Sequence, residues 1–278
     1  MENIRIVRFA RTDLPFGKML ADRELWGRGL LDWERLLRLE PLGMFKAVLE
    51  CKDVGIAGVL TYDSIAWIHS VIVLKEFRKH GVGRTLIDAC VNLCKDRGIS
   101  CIKLDSTHGS QGFYERLGFH TEFESLRLVR GGGEFPRVAR RVRSCDLREI
   151  SSFDRIQTGV SRQRILREIY KDNPEWSFLI RELGELRGFV LARREGNCTQ
   201  IGPCVSDGPK YAVCLLKTIL GSAPTGDFRM CVPGKNMQAV RLAMGLGFRK
   251  MASSTRMFLG NRFEESEANY AMTSPEKG

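Results

Sequence analysis

The sequence predicts an α/β (α+β) protein built of two domains that share one order of elements. Three observations predict it. Short apolar runs of strand length alternate with segments whose apolar residues recur at helical spacing. Residues 130–145 interrupt that alternation with three consecutive glycines and a proline. The order seen before the interruption then returns after it, as an internal duplication requires. A chain of 278 residues has room for two domains of ordinary size.

The first half opens with the strand-like "NIRIVRFA", followed by apolar-spaced segments around 15–26 and 31–39 that read as two helices. "MFKAVLEC" and "VGIAGVLTY" flank Lys52-Asp53 and predict a hairpin turning there. "AWIHSVIVL" is a further strand. From Arg84 to Asp96, Leu86, Cys90 and Leu93 recur at helical spacing, and Arg97-Gly98 ends that helix. "ISCIKLD" reads as a strand, "GSQGFYERLGF" as a short helix and "TEFESLRLV" as a strand.

After the break, the helical "RQRILREIY" leads to the strands "WSFLIREL", "LRGFVLARR" and "CTQIGPCV". The helix "YAVCLLKTIL", strand "FRMCV", helix "NMQAVRLAMGLGF" and strand "STRMFLG" complete the order. The register repeats as well: Leu117-Gly118-Phe119 matches Leu246-Gly247-Phe248 at an offset of 129, and Ser125 and Arg127 match Ser254 and Arg256 at the same offset. The division expected is therefore a first domain over 1–130, a basic linker over 131–145, a second domain over 146–261 and a flexible tail over 262–278.

Composition narrows the function classes. A 43% hydrophobic and 28% charged chain belongs with globular proteins. No run of 18 apolar residues exists, so no membrane partner is expected. The start carries no signal-peptide pattern, and nine cysteines without metal-ligand spacing read as free thiols, which together point to the cytoplasm and to no metal. The net charge of +11 raises nucleic acid as a partner. Its densest part is residues 129–145, with five arginines against one glutamate. No zinc-finger spacing, RNA-binding aromatic motif or zipper heptad accompanies it, so nucleic acid is not the expected partner.

The stretch "VIVLKEFRKHGVGRTL" carries the chemistry. A strand runs into Arg78, Gly81 and Gly83 and then into a helix. Glycines there let the backbone approach a ligand, and N–H groups at a helix mouth suit a pyrophosphate. Arg78, Lys79 and Arg84 add charge-assisted donors. The segment has neither the G-K-[ST] ending of a P-loop nor a full G-x-G-x-x-G.

Together with "FYERLGF" at 113–119, this stretch resembles the GCN5-related N-acetyltransferases (GNATs) over residues 3–130. The second half, through Gly202-Pro203, Asn236, Ala239, Val240 and "TRMFLG", resembles the second domain of tandem members over 146–261. The resemblance implies two GNAT-like domains, each a mixed, mostly antiparallel twisted sheet flanked by helices. It implies acetyl-CoA, or another acyl-CoA, as the cofactor. Its pyrophosphate would lie on Arg78, Lys79, His80, Gly81, Val82, Gly83 and Arg84, and its pantetheine arm along Val71, Ile72 and Val73. It implies Tyr114 as the acid that protonates the departing thiolate, a task that suits a phenol.

For the base, His69 shares a face with Val71, and imidazole is the side chain that titrates near neutrality. Asp105 and His108 are the alternatives, as is a water relay. Trp67 stands where some family members carry a carboxylate. The activity implied is N-acetyl transfer by direct attack of an amine in a ternary complex. The acceptor is a small-molecule amine or a protein amine, and its identity, the acyl length and the oligomeric state stay open. Trp26 and Trp33 lie where the family's acceptor site is lined, and pack a core otherwise. The offset places Ala243 opposite Tyr114, and "GPKYA" replaces the glycine turn, leaving only Lys210 to meet a phosphate. The second domain is therefore expected to be degenerate, with Arg162, Arg164 and Arg167 as a charged wall or a solvated face. The competing reading is a non-catalytic module that binds CoA, nucleic acid or an acidic partner.

Overall fold

The computed structural model describes residues 4–195, 198–223, 225–274 and 277. The chain divides into two compact units, and neither is continuous in sequence. The first comprises residues up to 104 with 116–119 and 258–262; the second comprises 105–115, 120–257 and 263 onward.

The first unit is a sheet in the order β1 (Arg5–Arg8), β2 (Met44–Leu49), β3 (Lys52–Tyr62), β4 (Ile65–Val73) and β5 (Cys101–Ser106), the last two residues of β5 falling in the second unit. Its ladders are antiparallel except for β4 with β5, which is parallel. Three helices accompany it: α1 (Leu14–Arg23), α2 (Leu30–Leu39) and α3 (Val82–Asp96). Pro15 starts α1, where a missing N–H costs nothing. α3 packs on β2, β3 and β4, burying Leu86, Ile87, Cys90 and Cys94; of the residues whose spacing predicts the helix, Leu86 and Cys90 are buried and Leu93 is half-buried. The β2–β3 hairpin turns at Glu50 and Cys51, both with positive φ, rather than at Lys52-Asp53, which already belong to β3.

After the end of β5, the second unit continues with α4 (Gln111–Glu115), β6 (His120–Gly131), β7 (Arg140–Arg141), α5 (Leu147–Thr158) and α6 (Gln163–Asp172). Then follow β8 (Ser177–Glu182), β9 (Glu185–Glu195), β10 (Cys198–Ser206), α7 (Pro209–Leu220), β11 (Asp227–Pro233), α8 (Met237–Gly245), β12 (Arg249–Gly260) and β13 (Asn269–Ala271). Its strands run in the order β12-β6-β11-β10-β9-β8-β7, with β13 on β10. The core gathers Leu128, Val190, Ile201, Leu215, Phe228 and Met230. The end of β12 belongs to the first unit, where Asn261 N–H donates to Ser100 O at 2.7 Å.

Four sequence expectations change. The compact units do not divide at residue 130, because β6 pairs with β11 from Gly131 opposite Asp227 to Ser125 opposite Pro233. Within 131–145, Arg140 and Arg141 pair with Leu179 and Phe178, and Val142 is buried, so this stretch is laid onto the second unit. The described part of the tail does not fray: Asn269–Ala271 forms β13, and Tyr270, Ala271 and Met272 are buried, while 275, 276 and 278 lie outside the described residues. α5 was not expected at all, since the positions it buries include the polar Asp154 and Thr158 beside Ile150.

Candidate functional site

β4 holds the first part of the site. Its parallel ladder to β5 joins Ile65, Ala66 and Trp67 to Cys101, Ile102 and Lys103 and goes no further, while β3 follows β4 to Val73. The register with β3 shifts between Ile56 opposite Ile72 and Gly58 opposite His69, which gives β4 an extra residue. Ser70, at φ +56°, marks that bulge. Val71, Ile72 and Val73 thus lie on the length of β4 that the β5 ladder leaves uncovered.

Beyond Val73 the chain makes a short 3-10 turn at Lys75–Phe77 and enters the segment Arg78, Lys79, His80 and Gly81. Lys79 and Gly81 have φ of +69° and +85°, and Gly81 caps α3. Thr85 N–H makes the first helical bond to Gly81 O, at 3.0 Å. The N–H groups of Val82, Gly83 and Arg84 precede it, and among the described residues no side chain caps this end. Arg78 Nε donates to Val73 O at 2.9 Å and its Nη2 bonds Glu24, so this guanidinium ties the turn to the end of β4 and to α1. Arg84 faces Asp88 one helical turn on, at 3.8 Å. A cleft of about 160 Å³ opens beside the turn, between Leu20, Arg23 and Glu24 and the run Ile72–Glu76.

His69 is buried, at 3% exposure. Its Nδ1 lies 2.9 Å from Ser70 Oγ, which accepts from Arg28 Nη1 at 2.5 Å. The Arg28 guanidinium is itself buried, 4.9 Å from the ring of Trp33 and 5.7 Å from that of Trp26. Arg28 and Ser70 are parts of the site that sequence reasoning missed; each is a lone polar residue whose partner lies 42 positions away. Trp33 is fully buried and stacks on Phe9, so it packs the core, whereas Trp26 is half-buried. Trp67 is a core residue, with Lys103 Nζ 5.9 Å from its ring.

Tyr114 and Asp105 belong to the second unit. Tyr114 sits in α4, 8% exposed, edge-on to Phe113 at 5.0 Å. Asp105 is corrected as a candidate base. Its Oδ1 accepts from Ser254 Oγ at 3.0 Å and its Oδ2 from Arg256 Nε at 2.7 Å, in a pair buried to 1% and 0%. A carboxylate sealed in that way holds Arg256 and has no access to an incoming amine. His108 lies in the turn between β5 and α4.

In the second repeat, Ala243 is fully buried in α8, and Lys210 at the start of α7 pairs with Glu182 at 2.8 Å. Arg162 is neither a charged wall nor a solvated residue, since it is buried against Asp154 at 2.6 and 3.0 Å. Two arginines of the basic segment are also anchored: Arg140 forks onto Asp146, and Arg130 donates to the carbonyls of Gly131, Gly132 and Leu246. Among the described residues no cluster of three His, Cys, Asp or Glu side chains is arranged to hold a metal, and no helix is long and apolar enough to cross a membrane.

The chemistry of this donor set fits an acyl-CoA. Consecutive helix-start N–H groups with Lys79 and Arg84 suit a pyrophosphate, and the uncovered length of β4 suits the two amides of a pantetheine arm. Comparison with known proteins agrees with that fit. The acetyltransferase (GNAT) family profile matches residues 11–119, and an acetyltransferase (GNAT) domain profile matches residues 150–270. Holothin acyltransferase of Pseudoalteromonas sp. is 24% identical over 242 residues, covering 85% of this chain and 81% of that protein. A crystal structure from Pyrococcus horikoshii superposes with a TM-score of 0.82 at 21% identity, covering 100% and 97% of the two chains. A GCN5-related N-acetyltransferase from Sphaerobacter thermophilus superposes with a TM-score of 0.69 at 15% identity, covering 96% and 98%. With mixed, mostly antiparallel sheets flanked by helices and a GNAT match in each half, the chain belongs to the GNAT superfamily of acetyltransferases, as a tandem member.

Proposed function

We propose that this protein is an acyl-CoA-dependent N-acyltransferase acting in the cytoplasm, with its coenzyme site on β4 and the 78–84 turn and an amine as acceptor, most simply a small molecule. One observation carries the reading: the ladder of β4 with β5 ends at Trp67, and the uncovered length of β4 leads through residues 74–81 to the N-terminus of α3. Acyl-CoA would supply an activated thioester. The N–H groups of Val82, Gly83 and Arg84 and the charges of Lys79 and Arg84 bind its phosphates, and Val71, Ile72 and Val73 orient its arm.

His69 takes the proton the amine must lose at Nε2, in the tautomer whose Nδ1–H donates to Ser70 Oγ. For the proton that the departing sulfur takes up, the family resemblance points to the hydroxyl of Tyr114. That the relative from Pseudoalteromonas carries the name acyltransferase supports leaving the acyl chain wider than acetyl.

Calorimetric titration of the full chain with acetyl-CoA tests the coenzyme site. Micromolar binding that is lost in the Arg78→Glu, Gly81→Glu double variant is the expected result. Binding that survives in the variant would move the site elsewhere. No binding by the wild type, checked by a second method, would sink the enzyme reading and favour a basic binding module.

A further inference from the structure

The two repeats treat one place in the fold differently. In the first unit, β4 parts from β5 after Trp67 and a wedge opens between the strands. In the second unit, β10 pairs in parallel with β11 from Cys198 opposite Asp227 to Ile201 opposite Met230, and stops there as β4 does. Each strand then leads to a helix, α3 or α7. The second wedge is filled by the C-terminal segment.

Cys204 pairs with Ala271 and Val205 with Asn269 on the β10 side; Cys231 pairs with Met272 on the β11 side. Ser206 N–H donates to Ala268 O at 3.1 Å and Met272 N–H to Cys231 O at 2.8 Å. Side chains fasten the rest. Asn236 Nδ2 donates to the carbonyls of Glu267 and Asn269 at 2.7 and 3.2 Å, Tyr270 hydroxyl to Gln238 Oε1 at 2.8 Å, and Arg193 Nη1 to Thr273 O at 2.9 Å. Tyr270, Ala271, Met272 and Thr273 are all buried. Gly202 is shaped to this occupant, because a Cβ there would lie 1.9 Å from Met272 O.

We infer that residues 266–274 are a built-in occupant of the second repeat's coenzyme wedge, standing where a pantetheine arm would run. The inference rests on the reading of the first wedge as the acyl-CoA site. An extended peptide and a pantetheine arm offer a strand edge the same groups, amide N–H and C=O in an extended chain. Once the chain's own segment takes them, fixed by side chains from β9, α8 and the loop before α8, a free arm has no edge left to bind. The second unit is therefore closed to acyl-CoA, and the chain binds one coenzyme. The lost glycine turn before α7 is consistent with this, since a sealed wedge needs no phosphate cradle.

Hydrogen exchange on the full chain, read at the amides of Ser206 and Met272 and across residues 78–84, tests it. Ser206 and Met272 are expected to exchange roughly a thousandfold or more slower than unstructured peptide, and acetyl-CoA is expected to leave them unchanged while slowing 78–84. Titration is expected to give one acetyl-CoA per chain. Fast exchange at Ser206 and Met272, a change there on adding acetyl-CoA, or a second coenzyme per chain would each overturn the inference. If 78–84 ignore acetyl-CoA, the reading of the first unit fails, and the filled wedge still stands or falls on the exchange of its own two amides.

Discussion

The imidazole of His69 occupies the room that a side chain at Gly58 would need: a Cβ at 58 would lie 2.3 Å from His69 Cε1. The two residues face one another across β3 and β4, next to the bulge at Ser70. Gly58→Ala must therefore push the ring away, at an overpacking cost of about 1–3 kcal/mol. If His69 is the proton acceptor, kcat falls at least about tenfold, which is the effect of roughly 1.4 kcal/mol on a barrier. Acetyl-CoA affinity, set by the 78–84 turn, stays within about twofold. A variant with unaltered kcat would remove His69 from the mechanism. Steady-state kinetics beside calorimetry decide it.

Ser70 bridges the buried Arg28 guanidinium and the His69 ring, and it does so at φ +56°. Ser70→Gly keeps that backbone accessible while deleting the hydroxyl, so it separates the bridge from the bulge. The expected result is a kcat lowered about tenfold with KM for the coenzyme unchanged and thermal stability within about 1 kcal/mol. Ser70→Thr, which keeps a hydroxyl, is expected to restore part of the rate. Equal loss in both variants would point to the backbone rather than the bridge.

The readable parts of the fold and site were those written locally. Alternation, helical spacing and the 129-residue register marked most strands and helices; Arg78 and Gly81 stand in the turn before α3, while Gly83 lies inside the first turn of the helix. What escaped lies in pairings over long separations. α5 hid because it buries Asp154, and only the pairing with Arg162 explains a charge there. The tail looked polar, yet "NYAM" closes on Cys204, Val205 and Cys231, far back in the chain. Arg28 and Ser70 carry no motif, and nothing near Asp105 in the sequence points to its partner Arg256, 151 positions on.

Arg256 holds Asp105 and Glu265 at once, with all three side chains buried. Burial raises the Asp105 pKa, and the Arg256 guanidinium works against that rise. Arg256→Met removes the counter-charge and leaves two carboxylates facing each other in a dry site. The expected loss at neutral pH is about 3–5 kcal/mol. A raised folded pKa favours the folded state below the unfolded value, so the variant regains part of this stability as pH falls toward 4 and the carboxyls take up protons. Urea midpoints of both chains at pH 7 and pH 4.5 measure it. A loss below about 1 kcal/mol would show that the network is relaxed by water.

Asp146 gives the opposite sign. Arg140 forks onto its carboxylate with two bonds of 2.9 Å and Arg143 N–H adds a third at 2.7 Å, holding its pKa at about 2, below the usual 3.8. The bond from Arg140 is the largest cause. A depressed folded pKa means stability that is present above the unfolded carboxyl value and lost as pH falls from about 4 through about 2. Because Arg140 is 41% exposed, the contribution is discounted to about 1–2 kcal/mol. Asp146→Asn is therefore expected to be less stable than the parent chain by that amount at pH 7, and the two are expected to converge near pH 2. Salt should narrow the gap at pH 7, since one partner is open to solvent. A gap that stays constant from pH 7 to pH 2 would assign the effect to the lost N–H···O geometry at the start of α5 and not to the charge.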